Sequence, residues 1–364
     1  MANPDLRTLP LPDAAARTES GPVRVRPLAA EGEVAWDRFV LAHPSGSFFQ
    51  LTGWKRVLEK TFQYESCYLC AERAGRTTGV LPLFLISNWI VGRALISVPL
   101  GVYGGICAQD SESEKALREA AEELAMREGV DYLELRNRNG SRFTGYHPNP
   151  LYATFSGPLP ASPELGFQSL QKDTRYMIRK GQKNALELRR GMEQLGTFYR
   201  LFAQNMKRHG TPVFPRSLFE NSAQEFPQQT DLLMAYKNDQ PVIGVFSFIF
   251  RDTMLPYYAG VSPEASALAA ANLLYFELMK HSVQMGLRQF DFGRSKSGTG
   301  PYAFKQQWNM QPEPLNYQVR LVKRTTVPNF SPVNPKFELA TRVWQKLPMW
   351  LTCWAGPRVV RWFP

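Results

Sequence analysis

The sequence predicts an α/β protein of layered α+β type, built as two tandem domains with an amphipathic C-terminal tail. Three observations carry that prediction. The chain has 364 residues, which at roughly 150 residues per domain leaves room for two. Its halves repeat one order of elements: helices, then a meander of strands, then a helix leading into a strand. Hydrophobic residues make up 44% and charged residues 21% of the chain, the balance of a soluble globular protein rather than of a disordered chain or a membrane-embedded bundle.

Residues 1–22 carry Asp5, Asp13 and Glu19 among prolines and lack an apolar stretch, so they read as a disordered lead and not as a secretory signal. In a first domain over 23–157, Glu31 to Ala42 and SFFQLTGWKRVLEKT have helical periodicity and YESCYLCAE reads as a strand. Thr77 to Gln109 is nearly uncharged, but Arg93 divides it into two runs of 16 residues, each short of the roughly 18–20 that span a bilayer. Prolines and glycines divide it again into strands and a VYGGI turn. A helix follows over Ser113 to Gly129, with Ser111 or Ser113 as its N-cap, and DYLELRN is a strand.

A second domain over 158–326 places helices at Asp173–Leu188, Met192–His209 and Ala267–Gly286. Its strands are DLLMAYKN, PVIGVFSFIFR, MLPYYAGV and RQFDFG. Residues 327–364 form a proline linker and an aromatic-basic tail.

Charge is the skewed quantity. There are 43 Lys plus Arg against 32 Asp plus Glu, a formal +11, which favours anionic partners such as nucleic acid, nucleotide-linked substrates or acidic lipid. Four scattered cysteines fit a reducing cytoplasm. Cys67 and Cys70 form a C-x-x-C, but no second Cys or His pair accompanies it, and His43, His147 and His281 lack ligand spacing, so no metal is expected. A serine-hydrolase elbow, G-x-S-x-G, is absent from the sequence.

Several residues stand out as candidates, each with a plainer alternative. Lys172, Arg175, Arg179 and Lys183 recur at helical spacing and form one basic stripe, for tRNA or another polyphosphate or simply for solvent, with Tyr176 and Ile178 on the packed side. Arg294, Ser295, Lys296, Gly298, Thr299 and Gly300 lie in a glycine-rich basic run suited to phosphate, or to a solvated hairpin tip. His209 ends a helix, where it either binds the acceptor or favours the helix dipole. Tyr103, Gly104 and Gly105 permit close backbone approach to a ligand, or merely connect strands, and Arg136 and Arg138 offer contacts to an acid. Asp291 serves to orient Arg294 or an acceptor amine, or is a structural ion-pair partner.

The segments TRYMIRKGQKN (Thr174 to Asn184), RHGTPVFPRSLF (Arg208 to Phe219) and FDFGRSKSGTGPYAFKQQW (Phe290 to Trp308) carry a family resemblance. The second half resembles the acyltransferase fold of the GNAT superfamily. The whole chain, over about Val23 to Lys323, resembles the two-GNAT-domain FemAB family, and within it the BioF2-like proteins associated with exosortase and PEP-CTERM exopolysaccharide systems. The resemblance implies acyl or aminoacyl transfer to an amine of a sugar-nucleotide or lipid-linked envelope precursor. It places Phe304 and Lys305 at the donor carbonyl and Tyr103, Gly104 and Gly105 on the acceptor, in an inter-domain cleft; Asp291 is added as a third catalytic candidate, Tyr302 to the donor side beside the Arg294–Gly300 run, and His209 and Tyr258 to the acceptor side.

One departure bears on the donor. Acyl-CoA enzymes of the superfamily follow V-x-P with R/Q-x-x-G-x-G/A, a turn cradling pyrophosphate at a helix N-terminus. Here Val261 and Pro263 are present, but Ser266, Ala269 and Ala271 replace the basic or amide residue and the two glycines. The donor is thus expected to be aminoacyl-tRNA or acyl-CoA, with the first favoured, and no cofactor is expected. The alternatives are an acyl-CoA-dependent N-acyltransferase and an inactive GNAT-pair adaptor of an exopolysaccharide or exosortase system.

The tail, 336–364, holds four of the eight tryptophans and five basic residues against one acid, Glu338. Phe337, Ala340, Val343, Trp344 and Leu347 share one helical face, which either lies on an anionic bilayer or packs on the protein. The expected location is cytoplasmic, with peripheral contact at the inner face of the plasma membrane.

Overall fold

The computed structural model describes residues 21–88, 90–140, 142–327 and 335–363. The lead expected to be disordered, 1–20, and the proline linker over 328–334 lie outside the described residues. The chain divides into two compact units, Met1–Pro150 with Leu315–Asn329 and Arg361–Pro364, and Leu151–Pro314 with Phe330–Val360. These limits replace the expected 157/158 and 326/327, because two strands pair outside their expected domain.

Unit 1 begins with β1 (Arg24–Pro27), α1 (Glu33–Ala42) and α2 (Thr52–Phe62). The strands β2 (Glu65–Ser66), β3 (Leu69–Arg73), β4 (Arg76–Leu81), β5 (Phe84–Asn88), β6 (Gly92–Ile96) and β7 (Cys107–Ala108) follow. Then come α3 (Ser111–Arg127), β8 (Tyr132–Asn137) and β9 (His147–Pro148). The N-cap of α3 is Asp110, whose carboxylate accepts the Ser113 N–H at 2.8 Å, and not either serine. β6 and β8 run parallel, with α3 crossing between them in sequence.

Unit 2 opens with β10 (Tyr152–Pro158), α4 (Pro163–Ser169), α5 (Lys172–Lys183), β11 (Glu187–Arg190), α6 (Leu195–Arg208) and α7 (Arg216–Glu225). It continues through β12 (Thr230–Lys237), β13 (Gln240–Phe250), β14 (Thr253–Val261), α8 (Ala270–Gln284), β15 (Gln289–Lys296), α9 (Gly300–Gln306) and β16 (Pro312–Pro314). The helix expected to reach Leu188 stops at Lys183, because Ala185 takes φ +49 and the chain turns into β11. The seven strands are ordered β11-β12-β13-β14-β15-β10-β16. Ile178, Val245, Ile249, Leu274, Leu278 and Phe290 form part of the core under α5 and α8.

The chain then returns to unit 1, where β17 (Asn316–Leu321) pairs antiparallel with β8. The tail makes α10 (Pro335–Lys346) and α11 (Met349–Val360) on unit 2.

Candidate functional site at the β15 bulge

β15 carries the candidate site because of one irregularity. Against β10, Thr154 pairs with Arg294 while Ser156 pairs with Asp291, so β15 holds an extra residue. Gly293 sits there with φ +66, and an added Cβ would meet only the Tyr257 ring, at 3.9 Å. Glycine is therefore needed for its backbone angle and not for space. The bulge turns the carbonyls of Phe292, Gly293 and Arg294 toward one point. The Lys305 ammonium occupies it, donating to the three oxygens at 2.6, 3.0 and 3.1 Å.

Lys305 reaches the bulge from α9, which starts at Gly300-Pro301, where the fixed φ of proline suits a first turn. Phe304 packs on Tyr275 and Trp308, with ring centroids 5.3 and 5.9 Å apart. Thr174 of α5, fully buried, donates its hydroxyl to Gln307 O at 2.9 Å and fastens the far end of α9. Burial pulls the Lys305 amine down to about 8; Asp291 opposes the shift and Arg294 adds to it. At neutral pH the group is a desolvated cation held by backbone dipoles.

Beside it, β14 and β15 run parallel but pair only at Thr253 with Gln289 and Met254 with Phe290. Among the described residues no strand pairs with this edge of β14 beyond Met254. An unpaired strand edge can pair with an extended chain carrying amides.

Residues 168–306 match the acetyltransferase (GNAT) domain family. Unit 2 is thus an acyltransferase domain of GNAT type. No curated protein matches the chain in sequence. In structure, the chain is similar to FemX, at 15% identity and TM-score 0.63 over 87% of this chain and 100% of that one. A tandem GNAT protein from the clavulanic acid biosynthesis pathway aligns at 13% identity and TM-score 0.53, over 84% and 100%. The C-terminal domain of a putative lysylphosphatidylglycerol synthetase from Agrobacterium fabrum aligns at 12% identity and TM-score 0.54, over 80% and 92%. At these identities the likeness is one of fold: two GNAT-like α/β units in tandem.

The GNAT domain brings Asp291, Arg294 and Lys305 together, but not as a loop and a strand. Arg294, Ser295 and Lys296 belong to β15, Ser295 is buried, and Gly298 and Thr299 make the short turn into α9. The Arg294 guanidinium lies over the Tyr152 ring at 4.9 Å. Asp291 is buried and accepts the Gly293 N–H at 2.7 Å and the Thr154 hydroxyl at 3.3 Å, bracing the bulge. Tyr302 packs edge-on against Phe155 at 4.9 Å.

The acceptor candidates fare differently. Tyr258 is buried among Phe202, Phe214 and Phe219, in the aromatic core and not on a binding face. His209 caps α6 near the last residue of β14, since Arg208 donates to Val261 O at 2.9 Å, and burial and Arg208 both lower its pKa. In unit 1, Gly104 and Gly105 are fixed by close packing. A Cβ there would lie 2.3 Å from Val98 Cγ2 and 1.8 Å from Asn137 Oδ1, so packing within the unit requires them. Arg136 is buried and paired with Glu134 at 2.9 Å, and Arg138 covers the Tyr103 ring at 4.9 Å.

The basic stripe of α5 faces outward, with Thr174, Ile178 and Gly181 on the packed side. Tyr176, expected on that side, is 64% exposed. The bulge carbonyls escaped sequence reading, although a glycine inside the strand FDFGRS is the usual mark of a bulge.

Proposed function

We propose that the chain is a FemAB-like transferase that moves an aminoacyl or acyl group onto an amine of a cell-envelope or exopolysaccharide precursor. The observation that carries this is the Lys305 cation seated on the β15 bulge, where β14 and β15 pair only at Thr253 and Met254. In the reaction the acceptor nitrogen attacks the donor carbonyl carbon and negative charge collects transiently on the carbonyl oxygen; a C–N bond forms, the C–O or C–S bond breaks, and the proton lost by the amine ends on the departing hydroxyl or thiol. A fixed, desolvated cation stabilises that charge without reorganising. All three Lys305 N–H groups engage backbone oxygens, so it contributes by its field and by holding the bulge in shape.

The turn before α8 supports aminoacyl-tRNA as donor. Ala269 adopts φ +53 without being glycine, and α5 covers the turn: Asn184 donates to Leu268 O at 2.9 Å, and Gly181 sits where a Cβ would lie 3.0 Å from Ala269 O. The same α5 presents Lys172, Arg175, Arg179 and Lys183, and its hydrogen bond to Gln307 ties that basic face to α9. Such a row of cations suits a polyanion lying along α5.

Acyl-CoA is the second reading, favoured by one group. Asn272, in the first turn of α8, is buried and its Nδ2 has no partner among the described residues, which leaves a donor for a phosphate. Thermal stabilisation separates the two, because a ligand that binds only the folded chain raises its melting temperature. A shift with charged tRNA and none with acetyl-CoA supports the first reading. The reverse result supports the second, and no shift with either contradicts both.

A further inference from the structure

The tail helices divide their residues between two faces. On α11, Thr352, Gly356 and Val360 recur every fourth residue and are buried. Gly356 lies so close to unit 2 that a Cβ would be 2.8 Å from Val213 Cγ1. On the opposite face Trp350 and Trp354 are 71% and 59% exposed, and the Arg358 guanidinium lies over the Trp354 ring at 4.4 Å. α10 follows the same plan. Gln345 donates to Arg208 O at the end of α6, and Thr341 packs on Gly210, while Leu339 and Val343 are 73% and 52% exposed beside Arg342 and Lys346.

Two helices anchored by one face therefore leave four large apolar side chains in water, interleaved with cations. Large apolar side chains exposed together mark an interaction surface. We infer that this face docks on an anionic lipid bilayer. Three features select lipid. The exposed aromatics are tryptophans, whose rings suit the headgroup boundary. Five of the six charged residues in 336–364 are positive, Glu338 being the one acid, so they complement acidic headgroups. Among the described residues no helix is long and apolar enough to cross a membrane, so the helices lie in the surface plane, as amphipathic basic helices do. The inference is independent of the transferred group.

The test is co-sedimentation of the full chain with vesicles of phosphatidylcholine alone or with one third phosphatidylglycerol, with analytical ultracentrifugation of the chain without vesicles. The expected result is binding to the acidic vesicles only, weakened by salt. Trp350→Ala with Trp354→Ala should lower partition by at least tenfold without altering the melting curve, since both side chains project from the fold. Each of Arg342→Gln and Lys346→Gln should lower it on the order of fivefold. Equal binding by the double variant overturns the inference. So does failure to bind acidic vesicles, whether the chain self-associates through these tryptophans, marking a second copy as the occupant, or stays monomeric, marking another protein.

Discussion

At Lys305, burial and function make opposite demands, and both can be measured. Burial pulls its amine from the usual 10.5 down to about 8. Between those values the unfolded chain binds more protons than the folded one, so stability attributable to this residue rises as pH increases from about 8 to about 10.5. Activity that depends on the cation should fall through the same window. We expect a descending limb in kcat/KM near pH 8 while the melting temperature, relative to Lys305→Met, rises. Parallel movement of the two would contradict the assignment. Gly293→Ala meets no atom closer than 3.9 Å but must hold φ +66, and should cost about 1–2 kcal/mol in denaturant unfolding. Gly105→Ala collides with Asn137 Oδ1 at 1.8 Å and should prevent unit 1 from reaching its native near-UV dichroism. The motif around Phe304 and Lys305 marks them in the sequence as candidates. Their surroundings are not legible there, because three carbonyls from a neighbouring strand leave no pattern in side-chain chemistry.

Among the elements, long segments with one clear period were read correctly. Examples are β12 to β14, whose apolar runs are bounded by turns, and α3, with acids in its first turn and Gly129 at its end. The misreadings lie where tertiary pairing decides. β17 follows unit 2 in sequence, yet it belongs to unit 1 because the edge of β8 takes it. β11 continues the α5 composition, but a left-handed residue and the edge of β12 make it a strand. At this scale the basic face of α5 makes its own prediction. Arg175→Glu with Lys183→Glu, both on the outward side, should weaken tRNA retention in filter binding and flatten its dependence on salt, while the melting temperature stays within about 1 °C, since surface changes rarely exceed ±0.5 kcal/mol. Unchanged retention would confine the donor to other surfaces.

For the whole molecule, the tandem arrangement is legible in the repeated order of helices and strands, because repetition survives ignorance of contacts. In each unit, a helix follows one strand of a parallel pair and leads into the other: α3 between β6 and β8, α8 between β14 and β15. In unit 2 a lysine rests on backbone carbonyls of the second strand, and the proposed chemistry is placed there. The most direct test is transfer of label. The full chain is incubated with tRNA bearing radiolabelled amino acids, or with labelled acetyl-CoA, together with an extract of amine-bearing envelope precursors. The account predicts label moving from charged tRNA to an alkali-stable product, and a loss of about 10²-fold in rate in Lys305→Met. Full-rate transfer by Lys305→Met would contradict it.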